Sequence, residues 1–172
     1  MNEKLKNILN GDKPYLLMLV GTPLSGKSTF INSLDNTNHT VVSRDEILTE
    51  VAQCSDYNKA WKIIADMEKG DDIVDKKLKA VLVELGKNKK NTIIDMTNLK
   101  KKGRCKHLAK FPKHIKVAIK FEFLTMDEYT ARNTKRNELD NKYIPLEVIQ
   151  EMISTYEEVE MEEGFDLIIT LE

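Results

Sequence analysis

The sequence predicts a three-layer α/β fold, in which a parallel sheet has helices on both faces. Short apolar runs alternate along the chain with longer segments of helical spacing, and this alternation is typical of βαβ units with right-handed crossovers. The apolar runs are nearly continuous, as expected of strands that are buried on both sides of a parallel sheet.

The first predicted strand covers residues 15–20 and ends at Gly21. A helix is expected to open at Gly26, with Phe30, Ile31 and Leu34 on one side at helical spacing. A strand, a Gly-rich turn and a helix therefore follow one another in order.

The other predicted strands are short apolar runs at residues 40–43, 91–95, 117–124 and 165–170. Helical patterns cover residues 46–53, 59–67, 127–137 and 145–159, and a basic helix is expected between the third and fourth strands. Pro145 suits a first helical turn, because it has no N–H to leave unpaired there. A helix over residues 73–85 is expected to stop at Gly86, with an inward face of Ile73, Leu78, Val81, Leu82 and Leu85.

Length and composition fit one domain over residues 1–172, with 41% apolar and 32% charged residues. No run approaches the roughly 18 apolar residues of a membrane span, and the N-terminus has no secretory or transit pattern. Cys54 and Cys105 have neither disulfide-framework nor zinc-site spacing. We expect a soluble, cytoplasmic protein with reduced thiols and no membrane association.

Charge is balanced overall, with 27 Lys and Arg against 28 Asp and Glu, so the whole chain does not attract polyanions. It is locally uneven, because residues 87–116 are basic and residues 147–163 are acidic. The basic surface of residues 100–116, which includes Arg104 and His114, could hold acceptor phosphates or be a solvated face. Phe111 is the one aromatic residue in it, so base stacking has little support. His39, His107 and His114 lack metal-ligand or triad spacing.

Residues 21–28 read Gly-Thr-Pro-Leu-Ser-Gly-Lys-Ser and match the P-loop pattern G-x-x-x-x-G-K-[ST] between a predicted strand and helix. In such a loop the backbone N–H groups face a triphosphate, the lysine neutralises its β and γ oxygens, and the hydroxyl binds Mg²⁺. A chance Gly-rich turn would not explain every fixed position. The predicted nucleotide-binding residues are Gly21, Thr22, Pro23, Leu24, Ser25, Gly26, Lys27, Ser28 and Thr29.

Polar residues follow the second and third strands at the carboxyl edge of the sheet, where open α/β folds bind ligands. Asp45, after Arg44, is a candidate general base for an attacking hydroxyl, and helix capping is an equal alternative. Asp95 could join Ser28 in the Mg²⁺ shell, and a strand-terminal turn is its alternative. The candidate substrate contacts are Arg44, Asp45, Thr97 and Asn98.

Arg132 and Arg136 are four residues apart and therefore share one face of a predicted helix. Two guanidinium groups there could clamp the triphosphate and stabilise the charge of the transferring group. A solvated face on which Arg132 pairs with Glu128 fits the spacing equally well.

Four motifs together resemble the phage-type polynucleotide 5′-hydroxyl kinases: the P-loop, Ser-Arg-Asp at 43–45, Asp-Met-Thr-Asn-Leu at 95–99 and Arg-Asn-Thr-Lys-Arg at 132–136. The resemblance spans about residues 14–170. It implies a P-loop kinase with a central five-stranded parallel sheet and a helical lid at about residues 127–145. It further implies ATP and Mg²⁺ bound by Lys27 and Ser28, RNA or DNA 5′-hydroxyl ends activated by Asp45, and Arg132 and Arg136 as lid arginines.

The chain departs from that family at two points. Leu48 stands where those kinases have an arginine for the acceptor's 3′-phosphate, and Asp95-Met96 is closer to the wider zeta-toxin-like and metabolite kinases. Arg44 or a lysine of residues 100–116 could replace the missing contact. A small-molecule kinase and a nucleotide switch without an acceptor therefore stay as alternatives. No phosphatase or ligase motif is present, so such end-healing partners would be separate chains.

Overall fold

The computed structural model describes residues 2–34, 38–140 and 142–171, apart from the side chain of Asp140. Within these ranges the strands are β1 (Tyr15–Val20), β2 (Thr40–Ser43), β3 (Thr92–Asp95), β4 (Ile115–Phe121) and β5 (Leu167–Leu171). They form one sheet in the order β2-β3-β1-β4-β5, and every neighbouring pair is parallel. The predicted α/β fold with a five-stranded parallel sheet is confirmed.

Helices cover both faces of this sheet. They are α1 (Glu3–Leu9), α2 (Lys27–Asn32), α3 (Arg44–Val51), α4 (Tyr57–Asp66), α5 (Gly70–Lys87), α6 (Lys101–Leu108), α7 (Met126–Asp140), α8 (Leu146–Ser154) and a 3-10 turn at Met161–Glu163. The helices α3, α4 and α5 pack on one another. Among the described residues, no helix is both long and apolar enough to cross a membrane.

β1 is the buried centre of the sheet, because it lies between β3 and β4. Its alternate residues enter two separate cores: Leu16, Met18 and Val20 on one face, and Tyr15, Leu17 and Leu19 on the other. A strand covered on both faces requires apolar residues at successive positions, not at every second one. This explains the continuous apolar run and places the end of β1 in the middle of the sheet.

α1 is absent from the predicted elements. The side chain of Asn2 caps it by accepting from the N–H groups of Lys4 and Leu5, and Leu5 and Leu9 are buried in the core that contains Tyr15. Three apolar residues in seven positions, Leu5, Ile8 and Leu9, give too short a periodic signal for a helix to be predicted.

The predicted inward face of α5 is wrong at Ile73, which is exposed. Its neighbour Val74 is buried in its place. The other predicted positions are confirmed, because Leu78 and Leu82 are buried in the core and Val81 and Leu85 pack against it.

The predicted stop at Gly86 is also wrong, since α5 continues to Lys87. Gly86 lies where the helix passes the chain that follows α6, and a Cβ at this position would be 1.9 Å from the carbonyl oxygen of Lys110. Glycine is therefore required by the close approach of two backbones and not by a left-handed helix end.

The predicted basic surface loses two members to the interior, because Arg104 and His114 are buried. The His114 ring packs edge-on against Phe111 at 4.9 Å between centroids, and its Nε2 lies 3.1 Å from the carbonyl oxygen of Lys90. Lys101 forms an ion pair with Glu160. The basic and acidic stretches therefore meet across α6 instead of forming two separate solvated faces.

Gly86→Ala should destabilise the protein by about 2–4 kcal/mol, because the new methyl group cannot avoid the Lys110 carbonyl without a backbone shift. Urea unfolding followed by circular dichroism measures the change. Gly103→Ala is the matched control: a Cβ there meets nothing within 4 Å, and alanine in α6 should leave stability unchanged or raise it by up to about 1 kcal/mol. Equal losses for both variants would contradict the close approach.

Candidate active site

The loop of residues 21–28 joins β1 to α2 and carries two left-handed residues, Leu24 at φ 67° and Gly26 at φ 102°. Such a φ is uncommon for leucine and costs free energy. Strained backbone of this kind is often found at ligand-binding sites. A Cβ on Gly26 would meet nothing within 4 Å, so glycine is needed there for its conformation and not for space. The loop curves around the cavity as a P-loop does.

Contacts from distant segments hold this loop. The N–H of Gly21 donates to the carbonyl of Thr97 at 3.0 Å. The Thr22 hydroxyl lies 2.6 Å from the Tyr129 hydroxyl on α7, and both side chains are buried. The side chain of Thr22 thus packs away from the cavity, although the sequence places Thr22 in the nucleotide-binding motif.

Lys27 lies at the start of α2, and its Nζ donates to the carbonyls of Gly21 at 3.1 Å and Thr22 at 2.5 Å. Burial lowers the pKa of Lys27 to about 8, against the opposing effect of Asp95. Arg136 also lowers it, whereas Asp45 raises it. The cation is therefore desolvated, which makes a phosphate anion a favourable partner, whereas the charges of the two carboxylates oppose such an anion.

Asp45 and Asp95 lie at the ends of two neighbouring strands, since Ser43 pairs with Asp95 in the register of β2 and β3. Burial raises the pKa of Asp95, Lys27 lowers it, and Asp45 raises it further. The two predicted carboxylates therefore share one electrostatic environment with the P-loop lysine.

Asp45 is exposed in the first turn of α3, and within the described residues its side chain makes no capping hydrogen bond to that helix. The hydroxyl of Tyr57 on α4 donates to its Oδ1 at 3.4 Å. Burial raises the pKa of Tyr57, and the charge of Asp45 raises it further. The carboxylate is thus oriented by a neighbour across the cavity and not by its own helix.

Arg44 points to α5, where its Nη2 and Nε donate to Asp71 at 2.7 Å and Asp75 at 3.1 Å. Leu48 is buried among the side chains of α3, α4 and α5. The position at which the resembling family has an acceptor-binding arginine is therefore part of the core in this protein.

Arg132 and Arg136 both line the cavity from α7. Arg132 Nη1 donates to the carbonyl of Leu24 in the P-loop at 2.9 Å. Glu128 accepts from the N–H and hydroxyl of Thr125 at 2.8 Å, and among the described side chains neither arginine forms an ion pair within 4 Å. The alternative of an Arg132–Glu128 surface pair is therefore not realised.

Asn133, in the middle of the Arg-Asn-Thr-Lys-Arg motif, is a residue that the sequence did not single out. Its side chain donates to the carbonyl of Ile144 at 2.6 Å and accepts from the N–H of the same residue at 3.1 Å. The buried amide thereby joins α7 to the segment before α8. Local sequence carries no signal for this role, because Asn133 is one polar residue among many in α7 and only the structure shows that it is buried.

Thr97 and Asn98 line the cavity beyond β3, but their hydrogen bonds connect them to other parts of the fold. The Thr97 carbonyl accepts from the N–H of Gly21. The Asn98 side chain donates to the carbonyl of Leu19 in β1 at 2.7 Å. Asn98 itself has φ 48°, a left-handed conformation that asparagine tolerates. The segment after β3 therefore fastens the end of β1.

Arg104 holds the segment after β3, a role that the sequence does not predict. It is fully buried and forms an ion pair with Glu163, which is equally buried, at 2.6 Å. It also donates to four carbonyls, those of Asn98, Leu99, Glu157 and Glu158. The partners from residues 157–163 lie more than fifty residues away in the sequence, so local sequence could not distinguish Arg104 from the lysines around it.

These elements enclose an open cavity of about 2170 Å³. Every predicted site residue lines it except Gly21 and Thr22. Ser25 Oγ is buried without a hydrogen-bond partner among the described residues, a polar group that a phosphate oxygen could satisfy. Among those residues no cluster of three or more His, Cys, Asp or Glu side chains could hold a metal by itself. A site of Ser28 and Asp95 suits Mg²⁺, which is bound by few carboxylates together with substrate phosphates.

The model of the AAA_33 family, described as an AAA domain, matches residues 16–159. The chain belongs to this family. The matched range includes the P-loop, both carboxylates and both lid arginines. The chain is thus a P-loop kinase of the AAA_33 type. No curated protein matches it closely enough to serve as a relative.

Solved structures agree with the AAA_33 assignment. A chain of the Pnkp1/Rnl/Hen1 RNA repair complex is 26% identical, with a TM-score of 0.67 over 85% of this chain. This chain spans less than half of that one, 45%. A sugar kinase from a Janibacter species is 18% identical (TM-score 0.56; 91% of this chain, 84% of that one). A gluconokinase from Sinorhizobium meliloti is 14% identical (TM-score 0.51; 91% and 81%). The last two show a shared fold alone.

Nucleotide affinity should fall as pH rises above about 8, by about tenfold per pH unit, because Lys27 in the free protein loses its proton there. The sign follows from the lowered pKa: the ammonium that attracts phosphate is complete below this value and is lost above it. Titration with a fluorescent ATP analogue from pH about 7.5 to about 9.5 measures the slope. Lys27→Arg is the control, since a guanidinium stays protonated over this range. A similar slope in both proteins would assign the effect to another group.

Proposed function

We propose that this chain transfers the γ-phosphoryl group of ATP to the 5′-hydroxyl end of RNA or DNA. The observation that carries the proposal is the placement of Asp45, which interacts electrostatically with the P-loop lysine Lys27 across one cavity. A carboxylate opposite the phosphate-binding lysine suits a base that orients a hydroxyl nucleophile. The 26% identity to a chain of an RNA repair complex supports a nucleic-acid end as the acceptor.

The donor side is formed by the P-loop and α7. The N–H groups around Gly26 and the ammonium of Lys27 bind the phosphates, and Lys27 exchanges its two carbonyl contacts for phosphate oxygens. Arg132 and Arg136 reach the same cavity from the lid and stabilise charge on the transferring group. Ser28 and Asp95 would hold Mg²⁺, which when bound offsets the negative charge of the phosphates.

On the acceptor side, Asp45 accepts the proton of the 5′-hydroxyl while Tyr57 keeps the carboxylate in position. The 5′-oxygen forms a bond to the γ-phosphorus, the bond from this phosphorus to the β–γ bridging oxygen breaks, and ADP leaves. Positioning and charge stabilisation supply most of the rate enhancement in this class of reaction.

The alternative acceptor is a small molecule such as a nucleoside, nucleotide or sugar nucleotide. The buried Leu48 favours it, because the position cannot offer a cation to an acceptor phosphate. The ion pairs of Arg44 with Asp71 and Asp75 favour it as well, since that guanidinium is already engaged. Salt separates the two functions: binding through several phosphates weakens steeply with salt concentration, whereas binding of a compact acceptor does not.

Transfer of radiolabelled phosphate from ATP tests the proposal directly. RNA and DNA oligonucleotides with 5′-hydroxyl ends should be labelled in the presence of Mg²⁺, and the same strands with 5′-phosphate ends should not. Label on nucleosides or sugars with none on oligonucleotides would establish the alternative. For end repair, we propose that the kinase works together with phosphatase and ligase activities and that the protein acts in the cytoplasm.

Asp45→Asn should lower kcat by about 10² or more and leave the affinity for ATP nearly unchanged, because an amide cannot accept the proton. Glu46→Gln is the matched control, since Glu46 lies next to Asp45 in the same helical turn, is exposed and does not line the cavity. Single-turnover rates and ATP titration measure the two quantities. An equal loss of ATP binding would make Asp45 a structural residue instead.

A further inference from the structure

α4 presents an exposed indole to the cavity. Trp61 is 56% exposed and lines the cavity together with Tyr57, which precedes it by one helical turn. Ala60 and Ile64 on the same helix are buried in the core. α4 therefore has one face in the core and an aromatic face towards the cavity, and so large an apolar side chain at a cavity wall indicates a binding role.

This aromatic face lies next to the candidate base. Tyr57 donates to Asp45, and Lys142 Nζ lies 4.6 Å from the centroid of the Tyr57 ring. Trp61 is four residues further along α4, which corresponds to about 6 Å along the helix axis. Asp45, Tyr57 and Trp61 thus form a row of side chains that line one cavity.

The row lies on the acceptor side of the cavity. α4 follows β2 and α3, at one edge of the sheet, whereas the P-loop follows β1 in its centre. A nucleotide with its 5′-oxygen at Asp45 can therefore extend along α4, where Tyr57 and then Trp61 line the cavity.

We propose that Trp61 stacks on the nucleobase of the 5′-terminal nucleotide of the acceptor strand. The inference rests on the proposed polynucleotide function and adds a base-binding subsite to it. Stacking on an aromatic side chain is tolerant of base identity, because every base has a π face. It also provides an anchor that does not depend on a phosphate contact, at a site where Leu48 and Arg44 offer none.

Trp61 is the one tryptophan of the chain, so intrinsic tryptophan fluorescence reports on this subsite alone. With a non-hydrolysable ATP analogue and Mg²⁺ present, a 5′-hydroxyl oligonucleotide should quench the emission in a saturable manner. The same strand with an abasic tetrahydrofuran residue at its 5′ end should quench it weakly. The abasic strand should also have a KM for phosphorylation higher by about 10- to 100-fold.

Trp61→Leu should raise the KM of the normal strand by the same about 10- to 100-fold, with little change in kcat and none for the abasic strand. Trp61→Phe should recover part of the loss, because phenylalanine still stacks. Ile63→Ala is the matched control: Ile63 is 40% exposed on the same helix but does not line the cavity, so its KM should equal that of the wild type. Urea unfolding verifies that each variant is folded.

Other outcomes would overturn the proposal in distinguishable ways. Equal KM for normal and abasic strands, with both phosphorylated, would remove the base subsite and leave the polynucleotide kinase function intact. Phosphate transfer to no oligonucleotide would overturn the proposed function and this inference with it. A dimer in sedimentation that Trp61→Leu dissociates would assign the indole to an interface between two copies of the chain.

Discussion

The P-loop keeps its shape because its backbone and side chains are bonded to segments far away in the sequence. Gly21 is held by the chain after β3, Thr22 by Tyr129, and Leu24 by Arg132. A buried polar group without a partner costs about 1–3 kcal/mol, so the buried bond to Tyr129 fixes the direction of the Thr22 side chain. The helix α7 and the segment after β3 are therefore both bonded to the P-loop.

Elements governed by local periodicity could be predicted from the sequence. β1 and the P-loop are examples, since a continuous apolar run and a fixed motif each have a local physical cause. Arg104 could not be predicted, because its partner Glu163 and two of its carbonyl acceptors lie more than fifty residues away. The aromatic face of α4 could not be predicted for the same reason. The sequence has Phe111 as the aromatic residue among the lysines, but Phe111 is buried, whereas Trp61 on α4 lines the cavity.

The wall of the cavity at α3 and α4 differs in character from the P-loop side. The P-loop side has a motif with fixed positions, as Lys27 and Gly26 illustrate. The wall formed by α3 and α4 has a carboxylate, a tyrosine and a tryptophan, and Arg44 there is engaged by two carboxylates. Lys142 lies over the Tyr57 ring, so this wall offers aromatic faces for stacking beside its charged groups.

The carbonyl contacts of Lys27 have a consequence for nucleotide affinity. Its ammonium donates to the carbonyls of Gly21 and Thr22 within the loop, so the charged side chain has hydrogen-bond partners without any phosphate. A nucleotide whose oxygens take over the ammonium replaces these two bonds. Its affinity is therefore set by the difference between the phosphate contacts it makes and the carbonyl contacts that Lys27 gives up.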